Sequence, residues 1–136
     1  MTGKSKRLVY VVDDDDSVRQ SLEMLLVSAN VEVMAFESAK EFLEFKIRTD
    51  NACLITDISM KGISGLDLQK KLNDRGIEIP VIFLTAFDSN ESREQARAEG
   101  ATAYFRKPVD DQALMDAVKW ALKSQSSSQP KKAKTP

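Results

Sequence analysis

Four short apolar runs each lead into a residue suited to phosphate or metal chemistry. LVYVV (residues 8–12) runs into Asp13, Asp14, Asp15 and Asp16, and ACLIT (52–56) into Asp57; VIFLT (81–85) closes on Thr85, and AYFR (103–106) leads to Lys107-Pro108. Carboxylates gathered in one place repel, two unit charges about 4 Å apart costing about 4 kcal/mol at an effective dielectric of about 20. A divalent cation resolves that conflict. Oxygen donors without His or Cys suit Mg²⁺ or Mn²⁺, and a site with few protein ligands that keeps waters and a phosphate suits Mg²⁺ best. Lys107 adds a point charge for phosphate oxygens and Thr85 a hydroxyl. Those parts match phosphoryl transfer, where positioning and charge neutralisation do most of the catalysis. The chain has no histidine and a single cysteine, Cys53. This excludes imidazole-based triads, His-ligated zinc and phosphohistidine chemistry on this chain. A carboxylate is the available nucleophile, and its product is an aspartyl phosphate.

Such residues meet only if the elements before them line up. Leu8 to Val12 is a continuous apolar run, the mark of a strand covered on both faces. Val18, Leu22, Leu25, Leu26 and Ala29 follow at helical spacing. Val31 to Phe36 reads as a second strand, and Ser38 with Glu41 forms an S-x-x-E capping box ahead of Phe42, Leu43 and Phe45. Ala52 to Thr56 is a third strand, followed after the Gly62/Gly65 turn by a helix carrying Leu66, Leu68 and Leu72. Val81 to Thr85 makes a fourth strand, Ser92 to Glu99 a fourth helix stopped at Gly100, and Ala103 to Arg106 a fifth strand. The last helix spans about Asp110 to Lys123, with Leu114, Met115, Val118, Ala121 and Leu122 on one face. Alternation of this kind implies right-handed crossovers and an open, mostly parallel α/β sheet with helices on both faces. Ligands of such sheets bind beyond the carboxyl ends of the strands, where the acids, Thr85 and Lys107 fall.

Composition narrows the class. The 136 residues fit one domain, with 42% apolar and 30% charged residues, enough for a packed core and a soluble surface. Twenty Lys and Arg against 21 Asp and Glu argue against a general nucleic-acid binder. The charge is unevenly placed: residues 8–123 hold all 21 acids and 14 of the 20 bases, a net charge of −7. A basic arm (1–7) precedes them, and 124–136, rich in Ser, Pro and Lys, is expected to be a disordered basic tail or the start of a linker. One cysteine forms no internal disulfide, no signal segment opens the chain, and no apolar run reaches membrane-span length, so a reducing cytoplasm is the expected location.

The stretches VVDDDDSVRQSL, LITDISMKGISGLDL, VIFLTA and EGATAYFRKP resemble the receiver domains of two-component response regulators, in particular those of nitrogen-fixation and LuxR-type regulators. The resemblance covers about residues 8–123 and implies a flavodoxin-like (βα)₅ fold. Position by position, it implies that Asp14 binds Mg²⁺ directly and Asp13 largely through water. It makes Asp57 both the phosphoacceptor and a metal ligand, with the backbone carbonyl of Ser59 completing the metal site. Thr85 would hydrogen-bond the phosphoryl group and Lys107 would pair with its oxygens. Pro108 would follow a cis peptide bond. Tyr104 matches the aromatic switch that turns inward as Thr85 moves toward phosphate, and the small Ala86 would leave the acceptor accessible. The implied partners are a sensor histidine kinase or histidine phosphotransfer protein as donor, and a downstream protein or a second copy at the face of the fourth helix, fifth strand and fifth helix. Neither nucleic acid nor membrane is an expected direct partner, and no turnover enzyme is expected beyond phosphorylation and autodephosphorylation of the aspartate.

Two departures from that pattern stand out. Lys61 follows Met60 where the family usually has Pro, so the acceptor loop is expected to be looser and more positive, and Val109 follows Lys-Pro where Phe is common, which weakens packing of the last strand's loop. Ser59 and Phe87 occupy positions that in this family adjust phosphate lifetime, Phe87 as a partial shield. Blander roles are expected elsewhere: Asp15 and Asp16 at a helix N-terminus and Cys53 in the core. Trp120, opposite the apolar stripe of its helix, reads equally as a stray surface aromatic or as part of a partner face. Two other readings remain open at this point. One is a small phosphatase of the haloacid-dehalogenase type, using Asp14-Asp15-Asp16-Ser17 as its loop; the other is a pseudo-receiver that only binds partners.

Overall fold

The computed structural model describes residues 6–126, in which five strands and five helices alternate strictly. They are β1 (Leu8–Val12), α1 (Asp16–Ser28), β2 (Glu32–Phe36), α2 (Ala39–Glu44), β3 (Ala52–Asp57), α3 (Gly65–Asp74), β4 (Val81–Thr85), α4 (Asn90–Ala98), β5 (Ala103–Arg106) and α5 (Asp111–Ser126). All strand pairs are parallel, in the order β2-β1-β3-β4-β5. The chain steps outward from β1 to β2 and then crosses to β3, so the switch in strand order lies between β1 and β3. This is the flavodoxin-like parallel sheet expected from the alternation.

The continuous apolar runs are explained by the two faces they serve. Val9 and Val11 of β1, Cys53 and Ile55 of β3, and Ile82 and Leu84 of β4 pack with Leu22 and Leu26 of α1 and Leu114 and Val118 of α5. The alternate residues Tyr10, Leu54 and Phe83 pack with Phe42 of α2, Leu68 and Leu72 of α3 and Ala96 of α4. Each such buried side chain contributes about 1.5–3 kcal/mol. Tyr10 is buried edge-on against Phe42, ring centroids 5.1 Å apart, and its hydroxyl accepts the Arg48 N–H at 2.8 Å. A buried phenol is thereby satisfied by the loop that follows α2. Cys53 is core, as expected, and burial pushes its thiol up to about 12, which leaves it neutral.

Helix ends follow local chemistry. Asp15 caps α1 by accepting the Val18 N–H at 3.1 Å, Ser38 caps α2 through Glu41, Ser64 caps α3 through Asp67, and Ser89 caps α4 through Ser92. The Ser38 box is not fully reciprocal, because the Glu41 carboxylate accepts from Glu37 rather than from Ser38. Helix α4 starts two residues earlier than expected. The expected Ser92 lies inside the helix, because Ser89 takes the cap and Asn90 becomes its first residue. Gly100 ends it with φ +92°, a conformation glycine adopts without steric penalty. Helix α5 continues to Ser126, past the expected Lys123. The rest of the expected basic tail, and residues 1–5 of the expected arm, lie outside the described residues. Trp120 is 62% exposed, on the side of α5 away from the core. Among the described residues no helix is long and apolar enough to cross a membrane.

Candidate acidic site at the carboxyl edge of the sheet

Strand register brings the four sequence positions together. Val12 pairs with Thr56, Asp57 with Leu84, and Thr85 with Arg106. Asp13, Asp57 and Lys107 therefore emerge side by side. Lys107 Nζ lies 3.2 Å from an Asp13 carboxylate oxygen and 3.4 Å from an Asp57 one. Oxygens of Asp13, Asp14 and Asp57 all lie within 4.8 Å of one another. The Lys107-Pro108 bond is cis.

Asp13 is the structural centre of the cluster, only 1% exposed. Its other carboxylate oxygen accepts the Asp15 N–H at 2.9 Å, and its backbone carbonyl accepts Arg19 Nη1 at 2.7 Å. Arg19 also pairs with Asp16, so the first turn of α1 is tied back onto the end of β1. Asp14 is exposed, and one of its oxygens accepts the backbone N–H of Lys61 at 3.0 Å. Asp57 is buried, and its Oδ1 has no hydrogen-bond partner. Leaving a buried carboxylate oxygen unpaired costs about 1–3 kcal/mol or more. Burial pushes Asp57 above its ordinary carboxylate value; Lys107 pulls the other way, the Asp13 charge adds to the rise, and Ser59 N–H lowers it. Burial alone would lower Lys107, but attraction to Asp13 and Asp57 outweighs it and holds the ammonium above its ordinary value. Lys107 thus stays charged between two carboxylates.

The donor set fits a hard divalent cation. Three convergent carboxylates, an orphaned Asp57 oxygen and a single ammonium leave excess negative charge that an oxygen-seeking ion would neutralise.

Gly65 sets the depth of Asp57. A Cβ at Gly65 would stand 2.1 Å from the Asp57 carbonyl oxygen, and the Gly65 N–H donates to the Ile58 carbonyl at 2.8 Å. The β3–α3 loop can close this tightly over Asp57 only because no side chain intervenes.

Thr85 and Tyr104 sit on the opposite face of the sheet from Asp57, beside α4. Thr85 is fully buried, and its hydroxyl accepts the Phe87 N–H at 3.0 Å rather than touching the acids. Tyr104 pairs across β4–β5 with Phe83, two residues before Thr85, so both side chains share one face. Its hydroxyl donates to Asp88 at 3.0 Å, and Arg93 lies over its ring at 5.6 Å. Ser59 and Ala86 are exposed beside the site. Phe87 is 75% exposed, with most of its ring in solvent. Val109 lines a groove of about 480 Å³ between α1 and α5, with Leu22, Leu25, Leu84 and Leu114, consistent with the looser packing expected of a smaller residue there.

The sequence does not point to Arg19 or to the Tyr104–Asp88 pair, and Gly65, read there as part of a turn, is the first residue of α3.

The chain matches the family model for the response regulator receiver domain over residues 9–119. It belongs to that family. Among curated relatives, this receiver is 45% identical over 114 residues to the transcriptional regulatory protein TdiR of Thauera aromatica, covering 84% of the chain and 50% of that protein. It is 42% identical over 114 residues to the transcriptional regulatory protein FixJ of Azorhizobium caulinodans, covering 84% of the chain and 54% of that protein. The receiver therefore spans about half the length of these relatives. Among solved structures it superposes on the response regulator StyR with a TM-score of 0.85 and 37% identity, over 94% of this chain and 65% of that one. On FixJ-N the TM-score is 0.80 with 32% identity, over 88% of this chain and 95% of that one. The family match decides for the receiver over the haloacid-dehalogenase reading.

Proposed function

We propose that this receiver is a phosphorylation-controlled switch in which Asp57 accepts a phosphoryl group in a Mg²⁺-dependent reaction. The observation that carries the reading is the convergence of three carboxylates and Lys107 around the orphaned, buried Oδ1 of Asp57. In the reaction an Asp57 oxygen forms a bond to phosphorus while the bond from phosphorus to the donor nitrogen or oxygen breaks, leaving an aspartyl phosphate and the free donor. Lys107 stays protonated and is placed to pair with the transferred oxygens. Asp13, Asp14, Asp57 and the Ser59 carbonyl would hold Mg²⁺, which when bound neutralises charge on the phosphoryl oxygens. Gly65 and the Ile58 carbonyl fix the acceptor's depth.

The donor lies outside the chain, because it contains no histidine. A sensor histidine kinase, a histidine phosphotransfer protein or a small acyl phosphate meets that need. The new dianionic group would draw the Thr85 hydroxyl from its bond with Phe87 N–H and free space for Tyr104 to leave Asp88. That exchange biases the face formed by α4, β5 and α5 toward a second state, which a downstream protein or a second copy reads. The location is cytoplasmic, and the acidic 8–123 unit makes no nucleic-acid or membrane contact of its own. The reading predicts a mass gain of one phosphoryl group with acetyl phosphate and Mg²⁺, lost on chelation or in Asp57→Asn. Catalytic turnover of a phosphate monoester that survives Asp57→Asn would instead support a phosphatase.

A further inference from the structure

The exposed member of the acid cluster is held by a backbone N–H from the loop that follows β3. Asp14 stands beside Asp13 and Asp57, and mutual repulsion drives an exposed carboxylate outward into water. Yet one of its oxygens converges within 4.8 Å of theirs. Its Oδ2 accepts the Lys61 N–H at 3.0 Å. A proline at this position has no N–H to give, so the lysine's backbone matters here independently of its charge.

The loop presenting that N–H is anchored at its far end. Gly65 N–H donates to Ile58 at 2.8 Å, Ser64 caps α3 through Asp67 at 3.0 Å, and Gly62 makes the intervening turn with φ +79°. The Lys61 amide therefore projects from a held segment toward Asp14. An open depression of about 570 Å³ lies alongside, lined by Asp14, Ser59, Met60 and Lys61, so neither residue is packed in place by neighbours.

We propose that Lys61 is a positioning residue for the divalent-cation site: its backbone N–H latches Asp14 into convergence with Asp13 and Asp57 and couples the β3–α3 loop to cation binding. The inference rests on the Mg²⁺ site proposed above. Holding the carboxylate in place before the ion arrives removes rotamer freedom that binding would otherwise have to remove. Linkage makes the effect reciprocal, so bound Mg²⁺ strengthens the Lys61–Asp14 bond by the same factor.

The test compares Lys61→Pro with Lys61→Ala in the unphosphorylated chain. Both lose the ammonium, but only the proline loses the N–H. Mg²⁺ affinity is measured by titration of amide chemical shifts, with circular dichroism to confirm folding. The proposal predicts that Lys61→Pro binds Mg²⁺ about three- to tenfold more weakly than Lys61→Ala. In the unmutated chain, it predicts that Mg²⁺ slows exchange of the Lys61 amide hydrogen with water several-fold, a readout that needs no variant to fold. Equal or tighter binding by Lys61→Pro, or amide exchange indifferent to Mg²⁺, overturns the latch while leaving the metal site standing. Absence of Mg²⁺ binding in the unmutated chain overturns both.

Discussion

Replacing Gly65 by alanine tests how the acceptor is positioned. The added Cβ would fall 2.1 Å from the Asp57 carbonyl oxygen and 3.0 Å from both the Asp57 carbonyl carbon and the Ile58 Cα. Those contacts are backbone, so relief requires the end of β3 and the start of α3 to separate by about 1 Å, given that carbon and oxygen rarely approach closer than about 3 Å. Overpacking of this kind costs about 1–3 kcal/mol. The Gly65 N–H bond to Ile58, now 2.8 Å, would weaken at a further cost of about 0.5–1.5 kcal/mol. A loss of about 2–4 kcal/mol corresponds to a fall in Tm of about 8–16 °C for a domain of this size. The same displacement carries the Asp57 carboxylate away from Lys107, and misplacement by about 1 Å can slow a reaction about 100-fold. The assay pairs thermal unfolding with the rate of phosphorylation by acetyl phosphate, measured well below Tm. Gly62→Ala is the control: its Cβ meets nothing within 4 Å, although φ is +79°. It should lose about 1–2 kcal/mol through backbone strain and, at saturating Mg²⁺, keep the acceptor's rate. If Gly65→Ala melted within about 2 °C of the parent and phosphorylated at the same rate, the close approach would not position Asp57.

Two further outcomes follow from the electrostatics. Mg²⁺ at ten times its dissociation constant should stabilise the fold by about 1.4 kcal/mol, read as a rise in urea midpoint, and Asp14→Asn or Asp57→Asn should remove most of that gain. An unchanged midpoint with Mg²⁺ would rule out a site selective for the folded chain. Without metal, burial raises Asp57 above its ordinary 3.8, so the folded state favours the protonated form. That contribution is fully present below the ordinary value and is lost as pH rises through the raised one. The parent should therefore lose stability relative to Asp57→Asn over that window, as followed by urea midpoints against pH. A difference that stays constant with pH would mean that the fold does not perturb Asp57.

The elements were legible because their burial is simple. β1, β3 and β4 are covered on both faces, which writes them as unbroken apolar runs of four or five residues, and parallel strands carry their terminal residues to one edge. Hence Asp13, Asp57 and Lys107 could be placed together from chain order alone. Contacts that depend on loop paths were not legible. Arg19 reaches back six residues to the Asp13 carbonyl, and Asp14 reaches 47 residues along the chain to the Lys61 amide. Neither spacing carries a periodic signal. Lys61 was visible as a departure from pattern, but its consequence needed the backbone N–H direction. The exposure of the Phe87 ring was likewise not legible, since it depends on the β4–α4 turn, where the Phe87 N–H donates to Thr85.

The most direct test of the central claim is chemical localisation of the phosphoryl group. After reaction with acetyl phosphate and Mg²⁺, borohydride reduces an aspartyl phosphate to homoserine, which peptide mass spectrometry assigns to a position. Reduction at position 57 alone is the predicted result. Reduction at Asp13 or Asp14 instead, or a modified chain with Asp57 intact, would contradict it.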